Sequence, residues 1–333
     1  MKKIVAFGEI MLRLSPQDGY RLFQGGVMKT CFGGSEVNVA ALCAQLGIRA
    51  SFVTKLPEGP AGDGAVRFLS GLGVDVSHIV RGGDRLGIYY YEKGAGQRPA
   101  RCVYDRAGSA FARAVAEDFD APAIFDGADA FHISGITPAL SAAMPDICVD
   151  LCKEAKARGL TVSYDLNHRS KLWSEPSNRA ASERILPYVD ILISNMYQAN
   201  EVFDLGVDTS GEEKACISVS RELAKRYGVK TVALTVRKTL SADVNGFYGM
   251  IYDGGDVHFS RKYETGIVDR VGSGDAFDGA LLASLMKGAD NGAAVEFAAA
   301  AAVLKHSIEG DVAYLCEEEI RALAEGTDGR VQR

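Results

Sequence analysis

Residues 268–282, VDRVGSGDAFDGALL, set Gly272, Ser273 and Gly274 immediately before Asp275. From there Ala276, Phe277, Ala280, Leu281 and Leu285 recur at helical spacing, which makes Gly272 to Asp275 a helix N-terminus. The amides of such an end lack intrahelical partners and carry about half a positive charge, so they attract anions. An aspartate there opposes that attraction unless its task is to take a proton beside a developing negative charge, which is the arrangement of phosphoryl transfer. A Gly-x-Gly turn before a helix is by itself only a turn, so this chemistry needs support from elsewhere in the chain.

A second glycine-led helix start occurs at 32–47, FGGSEVNVAALCAQLG. Gly33 and Gly34 let a ligand approach the backbone closely, and Asn38, one turn in, offers a hydroxyl both a donor and an acceptor. A helix start with a polar surface asparagine accounts for this segment equally well.

The elements that would position these residues are legible as an alternation. Short β-branched or aromatic runs at 4–7, 51–54, 130–134, 160–165, 189–194 and 231–236 are separated by helical patterns at 35–46, 61–72, 140–158, 178–187, 198–204 and 218–227. The expected fold is α/β: a doubly wound, mostly parallel sheet with helices on both faces and ligands beyond the carboxyl ends of its strands. Residues 10–31 and 86–105 break the rhythm with aromatic or alternating stretches joined by glycine and proline turns, and predict antiparallel hairpins. The expected division is a core of 1–9, 33–85 and 106–333, with a β lid of 10–32 and 86–105 over its mouth. Tyr20, Phe23, Tyr89, Tyr90, Tyr91 and Tyr104 would give that lid an apolar face suited to a partner subunit, hence a homodimer or higher homo-oligomer.

With 333 residues, 47% of them hydrophobic, the chain can bury a large core. A formal charge of −6 argues against nucleic acid as partner, so an anionic ligand must be met by locally placed arginines. Seven cysteines with no Cys-x-x-Cys pair read as buried free thiols of a reducing cytoplasm. The start, MKKIVAFGEI, carries a glutamate in too short an apolar run to be a signal peptide or membrane span. His132, His168 and His306 have no metal-ligand spacing, and no protein-held metal site is expected.

The pairing of GGSEVNVA with VGSGDAFDGALL resembles the two signatures of the ribokinase-like carbohydrate kinases, also called the phosphofructokinase-B (PfkB) family. GLGVDVSHI (71–79) and AAAAAVLKHSIEGD (298–311) extend the resemblance over nearly the whole chain. It implies ATP and Mg²⁺ as cofactors. Asp275 is then the base that accepts a sugar hydroxyl's proton, with the amides of Gly272, Ser273 and Gly274 stabilising the transferred phosphoryl group. Gly34 and Asn38 would contact the sugar, while Asn195, Arg237, Gly272 and Gly274 would serve the nucleotide. GIYYYEKGAGQRPARCVYDRAGSA (87–110) and SYDLNHRSKLW (163–173) resemble the segments that separate 2-keto-3-deoxygluconate kinases from ribokinases and fructokinases. By that likeness Tyr89, Tyr104, Arg106 and Arg169 would bind an acidic sugar phosphorylated at its 6-hydroxyl. Charge-assisted guanidinium bonds suit a carboxylate, and a neutral sugar would leave two buried arginines unpaired.

The pattern departs from the family at three places. Ser273 replaces the usual alanine, which keeps both glycines; Gln198 stands where an Asn-x-x-Glu motif has its acid, with Glu201 one turn on; and TVRKTLSADV (235–244) lacks the glycines of the nucleotide loop. Asp269 and the 305–311 loop lie where some members bind a monovalent cation. The rival readings are a kinase of fructose or ribose and a catalytically silent sugar-binding sensor.

Overall fold

The computed structural model describes residues 1–326, so residues 327–333 of the expected core lie outside it. The large sheet runs β13 (Val257–Phe259), β12 (Val244–Tyr252), β11 (Thr231–Thr239), β10 (Ile191–Asn195), β9 (Thr161–Asp165), β8 (Ala130–Ser134), β1 (Lys3–Phe7), β4 (Arg49–Leu56), β5 (Ile79–Arg81), with β14 (Tyr263–Gly266) paired to β12. From β11 to β5 the neighbours are parallel, as the alternation predicts. The sequence reading missed the antiparallel edge of β12, β13 and β14.

Helices cover both faces. The period-2 geometry of a strand divides β1 between two cores: Ile4 and Ala6 join one, Val5 and Phe7 the other. The first core is closed by α1 (Ser35–Gln45), α2 (Pro60–Gly71), α8 (Ser273–Met286), α9 (Asn291–Lys305) and α10 (Glu317–Glu325). The second is closed by α3 (Ala121–Ile124), α4 (Met144–Ala157), α5 (Glu175–Ile185), α6 (Met196–Val202) and α7 (Glu212–Tyr227). Burial on both faces explains strands that read as continuous apolar runs. The alanine-rich tract packs as expected: Ala298 to Ala302 are wholly buried in α9 against α8.

Helix limits moved where caps decide them. The α5 helix starts at Glu175 rather than 178, because the Ser174 hydroxyl accepts from the Ser177 amide and Pro176 fits the first turn. The α4 helix starts at Met144 rather than 140, after a 3₁₀ turn at Thr137–Ala139. The expected strand starts at 160 and 189 shift to Thr161 and Ile191.

A separate four-stranded sheet stands over the carboxyl ends of the large one, in the order β3 (Met28–Gly33), β2 (Met11–Pro16), β6 (Gly87–Glu92), β7 (Arg101–Asp105). Its two hairpins, β2–β3 and β6–β7, are antiparallel and join through a parallel β2–β6 pairing. No disulfide forms: Cys43, Cys148, Cys152 and Cys216 are buried free thiols, whereas Cys31 and Cys102 are half-buried and Cys316 exposed.

Candidate active site

Between the two sheets lies a cleft of about 380 Å³, and every site residue named from the sequence lines it. Asp275 sits in the first turn of α8, whose N-cap is Gly272. Gly272 has φ +82°, and a Cβ there would lie 2.0 Å from the Asp311 carbonyl oxygen, so only glycine fits. A Cβ on Gly274 would meet nothing within 4 Å, so that side of the turn is open, while the Ser273 amide makes a long bond to the Arg270 carbonyl at 3.4 Å.

The Asp275 carboxylate is held from α1. Ser35 Oγ donates to its Oδ1 at 2.9 Å and Asn38 Nδ2 donates to its Oδ2 at 2.6 Å. Burial raises the Asp275 pKa, and these two bonds oppose the rise. Asn38 therefore spends its donors on Asp275, while its buried Oδ1 has no partner among the described residues. Gly34 lets α1 start close to the connection between β1 and β2: a Cβ there would come within 2.1 Å of the Glu9 carbonyl oxygen. Ser35 is fixed in turn by Asn167 Nδ2 at 2.9 Å, from a residue in the left-handed region at φ +34°.

The two arginines differ. Arg106 is buried and already paired, its Nε donating to Glu9 Oε2 at 2.7 Å, and Ser109 Oγ also donates to Glu9. The expectation of two buried arginines left unpaired without a carboxylate is thus not met: the glutamate of MKKIVAFGEI already pairs with Arg106, and Arg169 is exposed rather than buried. Arg169 stands exposed at the cleft, on the loop after β9, without an ion pair among the described residues. Tyr104 lies between them, with the Arg106 guanidinium 5.7 Å from its ring centre. Tyr89 is committed elsewhere: its hydroxyl donates to Asp311 Oδ2.

On the far side, Arg237 Nη2 donates to Ser273 Oγ at 2.8 Å, while its Nε is buried without a partner among the described residues. Burial, then the nearby Arg270 and Arg169 charges, pull Arg237 down to about 10. Asn195 caps α6, its Oδ1 accepting from the Tyr197 and Gln198 amides and its Nδ2 donating to the Thr235 carbonyl. Its side chain is thereby occupied. Gln198 donates to the His168 carbonyl at 3.2 Å and lines the cleft; Glu201 is exposed outside that lining, so it does not replace the missing acid.

Sequence reasoning missed Asp278, one turn beyond Asp275 on the same helix face, although the i, i+3 spacing signals it. Burial, then the Asp275 charge, push Asp165 up to about 7; Asp278, in hydrogen-bond contact with Asp165, is also raised well above the carboxylate range. A carboxyl raised in the folded state stabilises the fold while protonated, fully below the unfolded value of 3.8, and that stability is lost as pH rises through about 7. The melting temperature should fall between about pH 4 and about pH 7, and less steeply in Asp278→Asn, where the pair no longer shares a proton. Equal slopes by thermal unfolding would refute the coupling.

Residues 1–313 match the sequence model of the pfkB family carbohydrate kinases. The chain is 35% identical to the 2-dehydro-3-deoxygalactonokinase of Haloferax volcanii over 99% of both chains. It is 30% identical to the 2-dehydro-3-deoxygluconokinase of Thermoproteus tenax, over 93% of this chain and 90% of that one. The crystal structure of a 2-dehydro-3-deoxygluconokinase from Thermotoga maritima superposes with a TM-score of 0.94 at 48% identity, covering 98% of each chain.

Proposed function

We propose, because the chain belongs to the pfkB family of carbohydrate kinases, that it phosphorylates the 6-hydroxyl of 2-keto-3-deoxygluconate from ATP to give 2-keto-3-deoxy-6-phosphogluconate. The observation that carries the substrate is Arg169, a guanidinium exposed at the cleft and in no direct ion pair among the described residues, a few residues beyond the strand that ends at Asp165. Sugar acids of this class are also what the printed names of the similar proteins specify.

In this reading Asp275 accepts the proton of the attacking hydroxyl, and Ser35 and Asn38 fix the direction of its lone pairs. Asn38 Oδ1 is left to take a hydrogen bond from the sugar. The Gly272 to Gly274 amides and Arg237 face the transferred charge, which a loose phosphoryl-transfer transition state spreads over its oxygens. No group of three or more His, Cys, Asp or Glu side chains set for a metal occurs among the described residues, so Mg²⁺ would be held through the nucleotide phosphates, whose charge it offsets. Tyr89 and Tyr91, expected on an exposed apolar face of the lid, are buried within it; exposed Tyr20, Phe23 and Val27 remain and support a homodimer built there. No described helix is long and apolar enough to cross a membrane, and the reading places the enzyme in the cytoplasm.

A specific observation favours a second reading, 2-keto-3-deoxygalactonate, which the name of the Haloferax volcanii relative specifies. ADP release with Mg-ATP and each of 2-keto-3-deoxygluconate, 2-keto-3-deoxygalactonate, gluconate, fructose and ribose separates the cases. Turnover confined to the keto-deoxy acids supports the reading, and turnover on fructose or ribose alone sinks it.

A charge-assisted hydrogen bond contributes about 1.5–3 kcal/mol, so Arg169→Ala should raise KM for the acid about 10- to 100-fold and leave kcat within about threefold. Unchanged KM would remove Arg169 from the substrate site.

A further inference from the structure

Beneath the α8 N-terminus lies a buried cation that the transfer step described above does not use. Lys305, the last residue of α9, is 0% exposed and forms no ion pair among the described residues; its Nζ donates to the Ile308 carbonyl at 2.9 Å. A Cβ on Gly272 would come within 3.4 Å of Lys305 Cε, so the lysine stem packs directly under the glycine that caps α8. Burial holds the Lys305 pKa below the usual lysine value; the Asp269, Asp311 and Asp275 charges oppose that fall and the Arg13 charge adds to it. A methionine would fill this space without burying a charge, so the packing alone does not call for lysine.

The surroundings do not suit an exchangeable monovalent ion. Asp269 Oδ2 accepts from Arg13 Nη2 at 2.6 Å and from the Gly310 amide at 3.1 Å, and its Oδ1 accepts from the Val271 amide at 3.1 Å. Asp311 accepts from Arg13 Nη1 at 2.9 Å and from Tyr89. Both carboxylates that could coordinate an ion already accept N–H or O–H donors on each oxygen, and the Ile308 carbonyl is taken by Lys305. The expectation of a monovalent cation in this region is therefore not met by the residues present.

We propose that Lys305 is a built-in replacement for such an ion. Its ammonium joins the 268–272 and 305–311 segments and lends a fixed positive charge to the anion hole of α8. In a water-poor site that charge costs no reorganisation when the phosphoryl oxygens develop theirs. Lys305 is a positioning residue, and its effect on rate rests on the kinase reading; its effect on stability does not.

The test compares native protein and Lys305→Ala in buffers whose only monovalent cation is tetramethylammonium, potassium or ammonium, by ADP release on whichever sugar turns over and by thermal melting without substrate. The native chain should change less than about twofold in rate, with no shift in melting temperature. Lys305→Ala should lose about tenfold or more in tetramethylammonium and regain most of it in potassium or ammonium, with a parallel rise in melting temperature. A native enzyme strongly stimulated by potassium overturns the proposal, as does a variant that neither ion restores in rate or in melting. Because melting needs no sugar, a wrong substrate would silence the first readout and leave the second to decide.

Discussion

An Asp275→Asn variant is expected to fold like the native chain and to turn over about 100 to 10,000 times more slowly. The carboxylate is the group in the cleft held by two donors from α1 and set at the mouth of an anion-attracting helix end. Asparagine keeps the shape and removes the proton acceptor. Its amide would meet the Asn38 amide donor to donor, but Asn38 Oδ1 has no partner and a turn of that amide restores the bond. The ionised carboxylate is opposed by burial, so the melting temperature should hold or rise near neutral pH. The decisive signature is a fall in kcat with KM within about threefold, since the interaction lost is made in the transition state. A kcat above about a tenth of native would dismiss Asp275 as the base. Such a result would keep the kinase and move the base to another carboxyl of the cleft, such as Asp165 or Asp278.

Much of the fold was readable because it is local. Runs buried on both faces are continuously apolar, and glycines 34 and 272 precede helices whose first turns enter the cleft. The antiparallel edge was not readable, because the β11–β12 turn is Leu240-Ser241-Ala242-Asp243, without the glycine or proline that signals a hairpin. At the cleft the residue types were legible and their partners were not. Arg106 looked like an arginine waiting for a ligand, but its counter-ion is Glu9, 97 positions away and read only as an interruption of an apolar run. Tyr89 and Asn38 are expected as ligand contacts, whereas the Tyr89 hydroxyl donates to Asp311 and the Asn38 amide nitrogen to Asp275. Pairings of that range depend on how the lid docks, which no local spacing encodes.

Arg13 is the strongest instance, and removing it should cost about 3–5 kcal/mol, the largest stability loss expected of any single substitution at the lid. It belongs to β2, is 1% exposed, and reaches out of the lid to Asp269 at 2.6 Å and Asp311 at 2.9 Å on the core. Ser15 Oγ accepts from its Nε, and the Tyr91 ring lies 4.2 Å from its guanidinium carbon. The gross attraction is largely offset by desolvation of the three charges, so the pairing adds little over a well-packed apolar alternative. Breaking it is another matter: Arg13→Met removes the cation paired with two buried carboxylates, leaving the Lys305 charge nearby, Tyr89 donating to Asp311 and the Gly310 and Val271 amides donating to Asp269. The variant should melt well below the native chain, and its KM for sugar should rise because Tyr89 and Asp311 both line the cleft. The triple variant Arg13→Met, Asp269→Asn, Asp311→Asn separates the causes by a mutant cycle. Recovery of at least about half the lost stability is expected if stranded charge is the penalty, because the amides need no counter-ion. A triple variant no more stable than Arg13→Met would instead assign the loss to packing against Tyr91, and the lid would then be held to the core by shape rather than by charge.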